Sequence, residues 1–358
     1  MINFYCQNLD QLKEKINSSI YTFDELKEFK SARGIITASG TVDRLRDSYV
    51  SIKMLRDIGC KLPIELFYAD EQEIPKSLCS IFHELNVNCI NIQSHYPFGV
   101  YNARNFSIKA IAVYLSKFKE LIWMDSDVIP LVDFETLFNN NQYINNGYFF
   151  NNDLWSFKKQ ETVFTDKIEK FIQNLKDDVN FTILPGSPEL ESGLFLLNRE
   201  KLPFKFFDIL LLLNVNNHLI YNKVCYGDKD TFQISIRMIY EEFYYNLLQP
   251  GVIGVKADGF LCGNGMILKH NYNNIAVHMT VRSLSQLKEM DFFENNSPWT
   301  HYIDEPIRFH APRVEILHQI ATPYYEYENI YMKEIDTEIN KAQINMYKYF
   351  ETTKNIIK

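Results

Sequence analysis

The 358-residue chain lacks the marks of several common protein classes. Its six cysteines, Cys6, Cys60, Cys79, Cys89, Cys225 and Cys262, include no CxxC pair. The spacing of structural zinc sites is therefore missing, and the cysteines read as buried small hydrophobes of a reducing compartment. No lysine/arginine cluster occurs and the formal net charge is −8, so nucleic acid is not an expected partner. The most apolar stretch, 206–215, is interrupted by Asp208 and is too short to span a bilayer; no integral membrane segment is expected. The opening MINFYCQNLDQLKEK has neither the basic block nor the apolar block of a signal peptide. A cytoplasmic or otherwise soluble location is the expectation that follows. Internal repeats and Pro/Ser-rich linkers are also missing.

What remains is an ordinary globular composition, 46% hydrophobic and 23% charged, long enough to bury a substantial core. The 27 phenylalanines and 22 tyrosines are spread along the whole chain, which reads as compositional bias rather than as a sugar-binding patch. Residues 1–30 read as a helical lead-in, with Thr22 and Glu25 at capping-box spacing. Strands and helices then alternate: a strand over 34–40, a helix over 42–59, a strand over 63–69, a helix over 75–85, a strand over 87–92, a helix over 106–118, and a strand over 120–124 that runs into Asp125. This alternation predicts an α/β fold with a mostly parallel central sheet flanked by helices. Ligands of such sheets gather beyond the carboxyl ends of the strands. The second half is mixed: a strand over 193–198, a helix over 203–214, a helix over 228–240 with Asp228 as its N-cap, and short strands over 252–255, 266–270 and 274–279. Near the C-terminus, Met332, Ile335, Ile339, Ala342, Met346 and Tyr349 follow coiled-coil spacing for under three heptads. Packing on the body is the favoured reading, with contact to a partner or an oligomer as the alternative.

The most informative segment is Leu121-Ile-Trp-Met-Asp125-Ser-Asp127. In extended chain, residues i and i+2 point the same way, so both carboxylates should project together at a strand end. Unpaired they would repel one another, and a divalent cation removes that cost. Oxygen ligands suit Mn²⁺ or Mg²⁺. The tripeptide alone is weak evidence, since Asp228-Lys-Asp230 repeats it; the apolar strand leading into Asp125 supplies the weight.

The run Phe106-Ser-Ile-Lys109-Ala, Tyr114 to Asp127 and Asp133-Phe-Glu-Thr-Leu-Phe138 resembles retaining glycosyltransferases of the GT-A fold, glycogenin more distantly. With Gly34-Ile-Ile-Thr, Leu62-Pro-Ile-Glu-Leu, Glu191-Ser-Gly-Leu-Phe-Leu-Leu-Asn and Tyr226-Gly-Asp-Lys-Asp-Thr-Phe232, the pattern looks like the fungal α-1,3-mannosyltransferase family. The resemblance implies a GT-A domain over 31–280, with a smaller acceptor-facing half and a C-terminal helical extension over 281–358. It implies a retaining transfer of a hexose, mannose first, from a nucleotide-sugar donor to a glycan or protein hydroxyl. GDP-mannose is the implied donor, with a UDP-sugar as the alternative. Asp125 and Asp127 would hold the metal, with His278 as third ligand and His270 as its rival. Donor contacts would come from Thr37, Ala38, Asn105, Lys109, Ser126, Ser192, Gly193 and Lys229. Glu191, Asp228 and Asp230 would face the transferred sugar, and Gly193 would let the chain approach it closely. Fungal members carry a membrane anchor and work in the Golgi, whereas no anchor is seen here.

Two other classes compete. A sugar nucleotidyltransferase needs a glycine-rich basic loop after the first strand, and 38–46 holds only Gly40. A non-catalytic glycosyltransferase-like binding protein would have no use for intact carboxylates, Lys109 and Glu191-Ser-Gly together.

Overall fold

The computed structural model describes residues 4–18, 31–69, 76–95, 106–153, 163–177, 189–240, 246, 248–257, 260–279, 299–304, 316–317, 320–321, 324–325 and 333–357. The Thr22 capping box and Asn105 lie outside these residues. The first half contains α1 Leu9–Asn17, β1 Ser31–Ala38, α2 Val42–Ile58, β2 Ile64–Tyr68, α3 Lys76–His83, β3 Val87–Asn91, α4 Ile92–His95, α5 Ser107–Leu115, β4 Phe118–Met124, β5 Val128–Pro130, α6 Asn141–Asn146 and β6 Tyr148–Asn152. There follow α7 Val163–Lys176, β7 Leu190–Asn198, α8 Phe204–Val215, α9 Asn217–Ile220, α10 Asp228–Ile239, β8 Gly251–Ala257, β9 Phe260–His270, β10 Asn273–His278 and β11 His301–Ile303. The short pairs β12 Ile316–Leu317, β13 Ile320–Ala321, β14 Tyr324–Tyr325 and β15 Lys333–Glu334 precede a C-terminal helix, Thr337–Ile356.

Two sheets organise the chain. The first runs β3-β2-β1-β4-β7-β6. Its β3, β2, β1 and β4 are parallel, and β7 enters antiparallel beside β4. This is the α/β architecture read from the alternation. The second sheet, β15-β11-β8-β9-β10-β5, is antiparallel throughout. The chain passes directly from one to the other: β4 belongs to the first sheet, β5 to the second, and only Asp125-Ser-Asp127 separates them.

Helices cover the first sheet on both faces. On one side α8 is apolar over most of its circumference and buried from Phe206 to Asn214, as a central helix must be. It packs with α5 and α10 on Trp123, Phe150 and Phe195. On the other side α2 and α3 enclose Ile35, Leu66 and Ile122. α2 starts at an N-cap, Thr41, and stops at Gly59, whose φ of 112° is the left-handed conformation that ends a helix at glycine. The C-terminal helix lies against α2 and the second sheet, where Ile339, Met346 and Phe350 join Met54, Ile129 and Trp299. From Ile335 onward, packing on the body is thus the observed state of that stretch, and Met332 lies outside the described residues.

Several boundaries differ from expectation. The helix expected over 106–118 ends at Leu115, and Phe118 begins β4 instead. Its ring occupies the place a side chain at Gly34 would need, since a Cβ there would lie 2.3 Å from it. Phe118 therefore follows the strand period rather than the helical one. Asp228 is not an N-cap: Gly227 precedes the helix without a side-chain hydrogen bond, and Asp228 is its first residue. β5, just past the acid pair, is a strand because β10 pairs with it.

Candidate functional site

The site is built by strand register. β4 is fixed by β1 on one side and β7 on the other, and Leu121 to Met124 are buried. Beyond Met124 the Asp125 N–H donates to the Gly193 carbonyl at 2.8 Å, so the end of β4 stays tied to β7. The chain then turns: the Val128 N–H donates to the Asp125 carbonyl at 3.1 Å. Asp125 and Asp127 thus sit in a turn and not in extended chain, a correction to the i, i+2 argument. Antiparallel pairing sets His278 opposite Val128, and the Met279 N–H donates to the Asp127 carbonyl at 3.1 Å.

This brings three ligand-type side chains together. His278 Nε2 is 3.4 Å from Asp127 Oδ1 and 3.8 Å from Asp125 Oδ2. One donor atom from each of the three lies within 4.8 Å of the others. Two carboxylates and one imidazole are a donor set that could hold a divalent cation. His270 does not join them; it packs edge-on to Phe149.

Behind the ring, His278 Nδ1 is 2.8 Å from Glu191 Oε1. Glu191 also accepts from the Gly193 N–H. A carboxylate on the far nitrogen fixes which nitrogen faces a metal and how the ring is turned. Gly193 is required by the same contact, because a Cβ there would lie 2.5 Å from His278 Nδ1. The space that glycine leaves is filled by the histidine, where the sequence suggested a ligand.

Cations occupy the other side of the acids. Lys109, on α5 and buried, lies 3.1 Å from Asp125 Oδ2 and 3.1 Å from Asp228 Oδ2. It also donates to the Ser192 carbonyl at 2.9 Å and to Ser192 Oγ at 3.1 Å. Trp123 Nε1 donates to Asp125 Oδ1 at 2.6 Å. Arg44, in the first turn of α2, reaches Asp127 Oδ2 at 2.6 Å and Asp47 Oδ2 at 3.6 Å. Sequence reasoning passed over Arg44. The available signal was its place just after β1, at the strand end where ligands gather in this kind of sheet.

The charges are strongly perturbed. Burial raises the Asp125 carboxyl to about 6; Asp127 and Asp228 add to the rise, while Lys109 and His278 oppose it. For Asp127 burial is outweighed by His278 and Arg44, which hold its carboxyl below the usual range. Burial disfavours charge on His278, yet Glu191 and Asp127 raise its pKa well above the usual value. Burial likewise opposes charge on Lys109, and Asp125 and Asp228 overcome it. Such a cluster of displaced titrations in a cleft is the electrostatic pattern of functional sites.

The acids open into a cleft of about 990 Å³. Ala38, Gly40, Thr41 and Arg44 line it on one side; Lys109, Trp123, Asp125, Ser126, Asp127, Ser192 and His278 line it in the middle. Phe106, Asn217, Tyr221, Asn222, Tyr226 and Asp228 complete it. Among the residues named from sequence, Thr37 is fully buried within β1 and is not on the cleft wall. Lys229 points to Asp153 and Glu189, 2.7 Å from each. Asp230 is buried outside the wall, its carboxyl raised to about 6 by burial. Glu191 is buried behind His278.

Comparison with known proteins gives this geometry its context. The family described as "Mannosyltransferase putative" matches residues 32–268. Alpha-1,2-mannosyltransferase MNN2 of Candida albicans is 24% identical over 286 residues, covering 66% of this chain and 47% of that protein. Alpha-1,2-mannosyltransferase MNN2 of Saccharomyces cerevisiae is 26% identical over 273 residues, 67% of this chain and 45% of its own length. The chain thus spans less than half the length of these relatives. Among solved structures, galactosyltransferase LgtC with donor and acceptor sugar analogs aligns at a TM-score of 0.38 and 13% identity, over 56% of this chain and 69% of that one. Among the described residues no helix is long and apolar enough to cross a membrane. With more than half of its length inside that family's pattern, the chain belongs to the mannosyltransferase family.

Proposed function

We propose that the protein is a metal-dependent mannosyltransferase, which takes mannose from GDP-mannose and joins it to a hydroxyl of a glycan or protein with retention of anomeric configuration. The observation that carries this reading is the convergence of Asp125, Asp127 and His278 beside Lys109 in one cleft. Membership in the family supports mannose as the sugar. The relatives' names specify α linkages, and GDP-mannose is itself α-linked, so an α product means retention.

Asp125, Asp127 and His278 are the residues that hold the cation, with Mn²⁺ preferred over Mg²⁺ because of the imidazole. When bound, the cation supplies charge neutralisation for the departing diphosphate, a contribution of several kcal/mol. Glu191 acts through His278 as a positioning residue. Lys109 holds Asp125 and Asp228 at a fixed spacing and keeps a positive charge on the cleft floor. Arg44 neutralises Asp127 in the absence of metal and stands at the donor end of the cleft. Asp228 is the acid beside the transferred sugar, where it stabilises the positive character that develops at the anomeric carbon. The acceptor hydroxyl attacks from the face the diphosphate leaves, and its proton passes to the departing phosphate.

A thermal-shift series with Mn²⁺ and GDP-mannose, UDP-glucose or UDP-galactose tests the reading. GDP-mannose should give the largest shift. Asp125→Ala and Asp127→Ala should each abolish it while keeping the unliganded fold. A protein inert to every donor, or a product of inverted configuration by NMR, would sink the proposal.

A further inference from the structure

The contacts along the cleft run in one order. Arg44 touches Asp127, Lys109 joins Asp125 to Asp228, Gly227 precedes Asp228, and the Phe106 ring lies against Gly227. A Cβ on Gly227 would sit 3.3 Å from Phe106 Cδ2, so this glycine lets the ring lie close over the start of α10. Beyond it stands Tyr226, whose ring centroid is 6.3 Å from that of Phe106 at an interplanar angle of 50°. The polar, cation-rich end and the aromatic end are therefore separated by the Lys109–Asp228 pair.

The aromatic end is unusual in its exposure. Phe106 is 52% exposed and Tyr226 is 70% exposed, although both line the cleft. Large apolar rings left open beside a polar cleft mark a binding surface. Two amides flank them: Asn217 at the start of α9, and Asn222, which takes the left-handed conformation at φ 61° in the loop before α10. Neither amide side chain has a hydrogen-bond partner among the described residues, nor does the Tyr226 hydroxyl. Each amide offers a carbonyl acceptor and two N–H donors. Flat apolar rings bordered by unused donors and acceptors match a pyranose, which has a C–H face and a rim of hydroxyls. A peptide in extended form would look for backbone partners at a strand edge, and among the described residues no strand edge lines this end of the cleft.

We infer that Phe106 and Tyr226, with Asn217 and Asn222, form the acceptor subsite, and that it takes a pyranose ring of a glycan acceptor. The inference rests on the mannosyltransferase reading and adds to it the class of acceptor and its place. Phe106 and Tyr226 carry the C–H face of the sugar, and the two amides bind its hydroxyls. The attacking hydroxyl then points toward Asp228 and the donor end.

The test uses the full chain with Mn²⁺ and GDP, and an α-linked mannotriose as probe, observed by saturation-transfer NMR. Wild type should bind the trisaccharide. Tyr226→Ala and Phe106→Ala should weaken it by about tenfold, Tyr226→Phe should keep it, and all three should retain the GDP-induced thermal shift. Both rings are exposed enough for these variants to fold, and their unliganded Tm checks that. The inference is overturned if wild type ignores the trisaccharide, if Tyr226→Ala binds it like wild type, or if a Ser/Thr peptide binds in its place. Loss of the GDP shift in wild type would instead strike the mannosyltransferase reading itself.

Discussion

Asp125-Ser-Asp127 and Asp228-Lys-Asp230 share one tripeptide pattern on two different backbones. The first lies in a turn between two sheets, and both of its carboxylates reach one histidine. The second opens a helix, where residues i and i+2 are about 200° apart around the axis. Its carboxylates therefore part: Asp228 meets Lys109 on the cleft wall, while Asp230 is buried outside it. A pair of acids in sequence becomes a site for a cation only where the backbone converges them and a third donor arrives. Lys109 couples the two motifs, since it contacts one acid of each.

Removing that coupling is the most damaging change. Lys109→Met leaves Asp125 and Asp228 facing each other without their cation, and losing one partner of a buried pair costs about 3–5 kcal/mol. Urea denaturation should show that loss, and transfer from GDP-mannose should fall by at least about a hundredfold. A variant as stable as wild type would mean the two motifs are independent.

Asp228→Asn separates the motifs more gently. It should slow transfer by about ten- to a hundredfold, yet leave the Mn²⁺ affinity measured by calorimetry within about twofold. Mn²⁺ affinity lost to the same extent as in Asp127→Ala would make Asp228 a metal ligand and erase the contrast.

The smallest effect concerns Asp230. Its folded carboxyl is raised from 3.8 to about 6 by burial, so the folded state holds a proton more tightly than the unfolded chain. The stabilisation from that proton is complete below about pH 4 and is lost as pH rises through about 6. Asp230→Asn removes the loss. Its Tm should gain on wild type between pH 4 and pH 8, by a few degrees at the upper end. An equal Tm difference at both pH values would contradict the buried-acid account.

Much of this was legible in the residues. The strand–helix alternation gave the sheet and its flanking helices, because apolar period and glycine or proline stops are local signals. The strand 120–124 led to Asp125 for the same reason. Other features could not be read that way. Glu191, expected beside the sugar, lies behind His278, and Gly193 makes room for that ring. Lys229 was named for the donor but is taken up by Asp153 and Glu189. Each of these outcomes depends on partners far away in the chain. Arg44 carried no motif at all, and only its contact with Asp127 draws attention to it.

Local chemistry in the sequence determined the α/β class, the position of the acid pair at a strand end, and the exclusion of zinc-type spacing and of a long apolar span. Tertiary structure decided which cations balance the acids and which way each carboxylate faces, and it brought to them His278, the histidine that the family resemblance implied, and not His270. The physical reason is register. Val128 and His278 become neighbours only when β5 and β10 pair across about 150 residues of chain, and no local preference encodes that pairing.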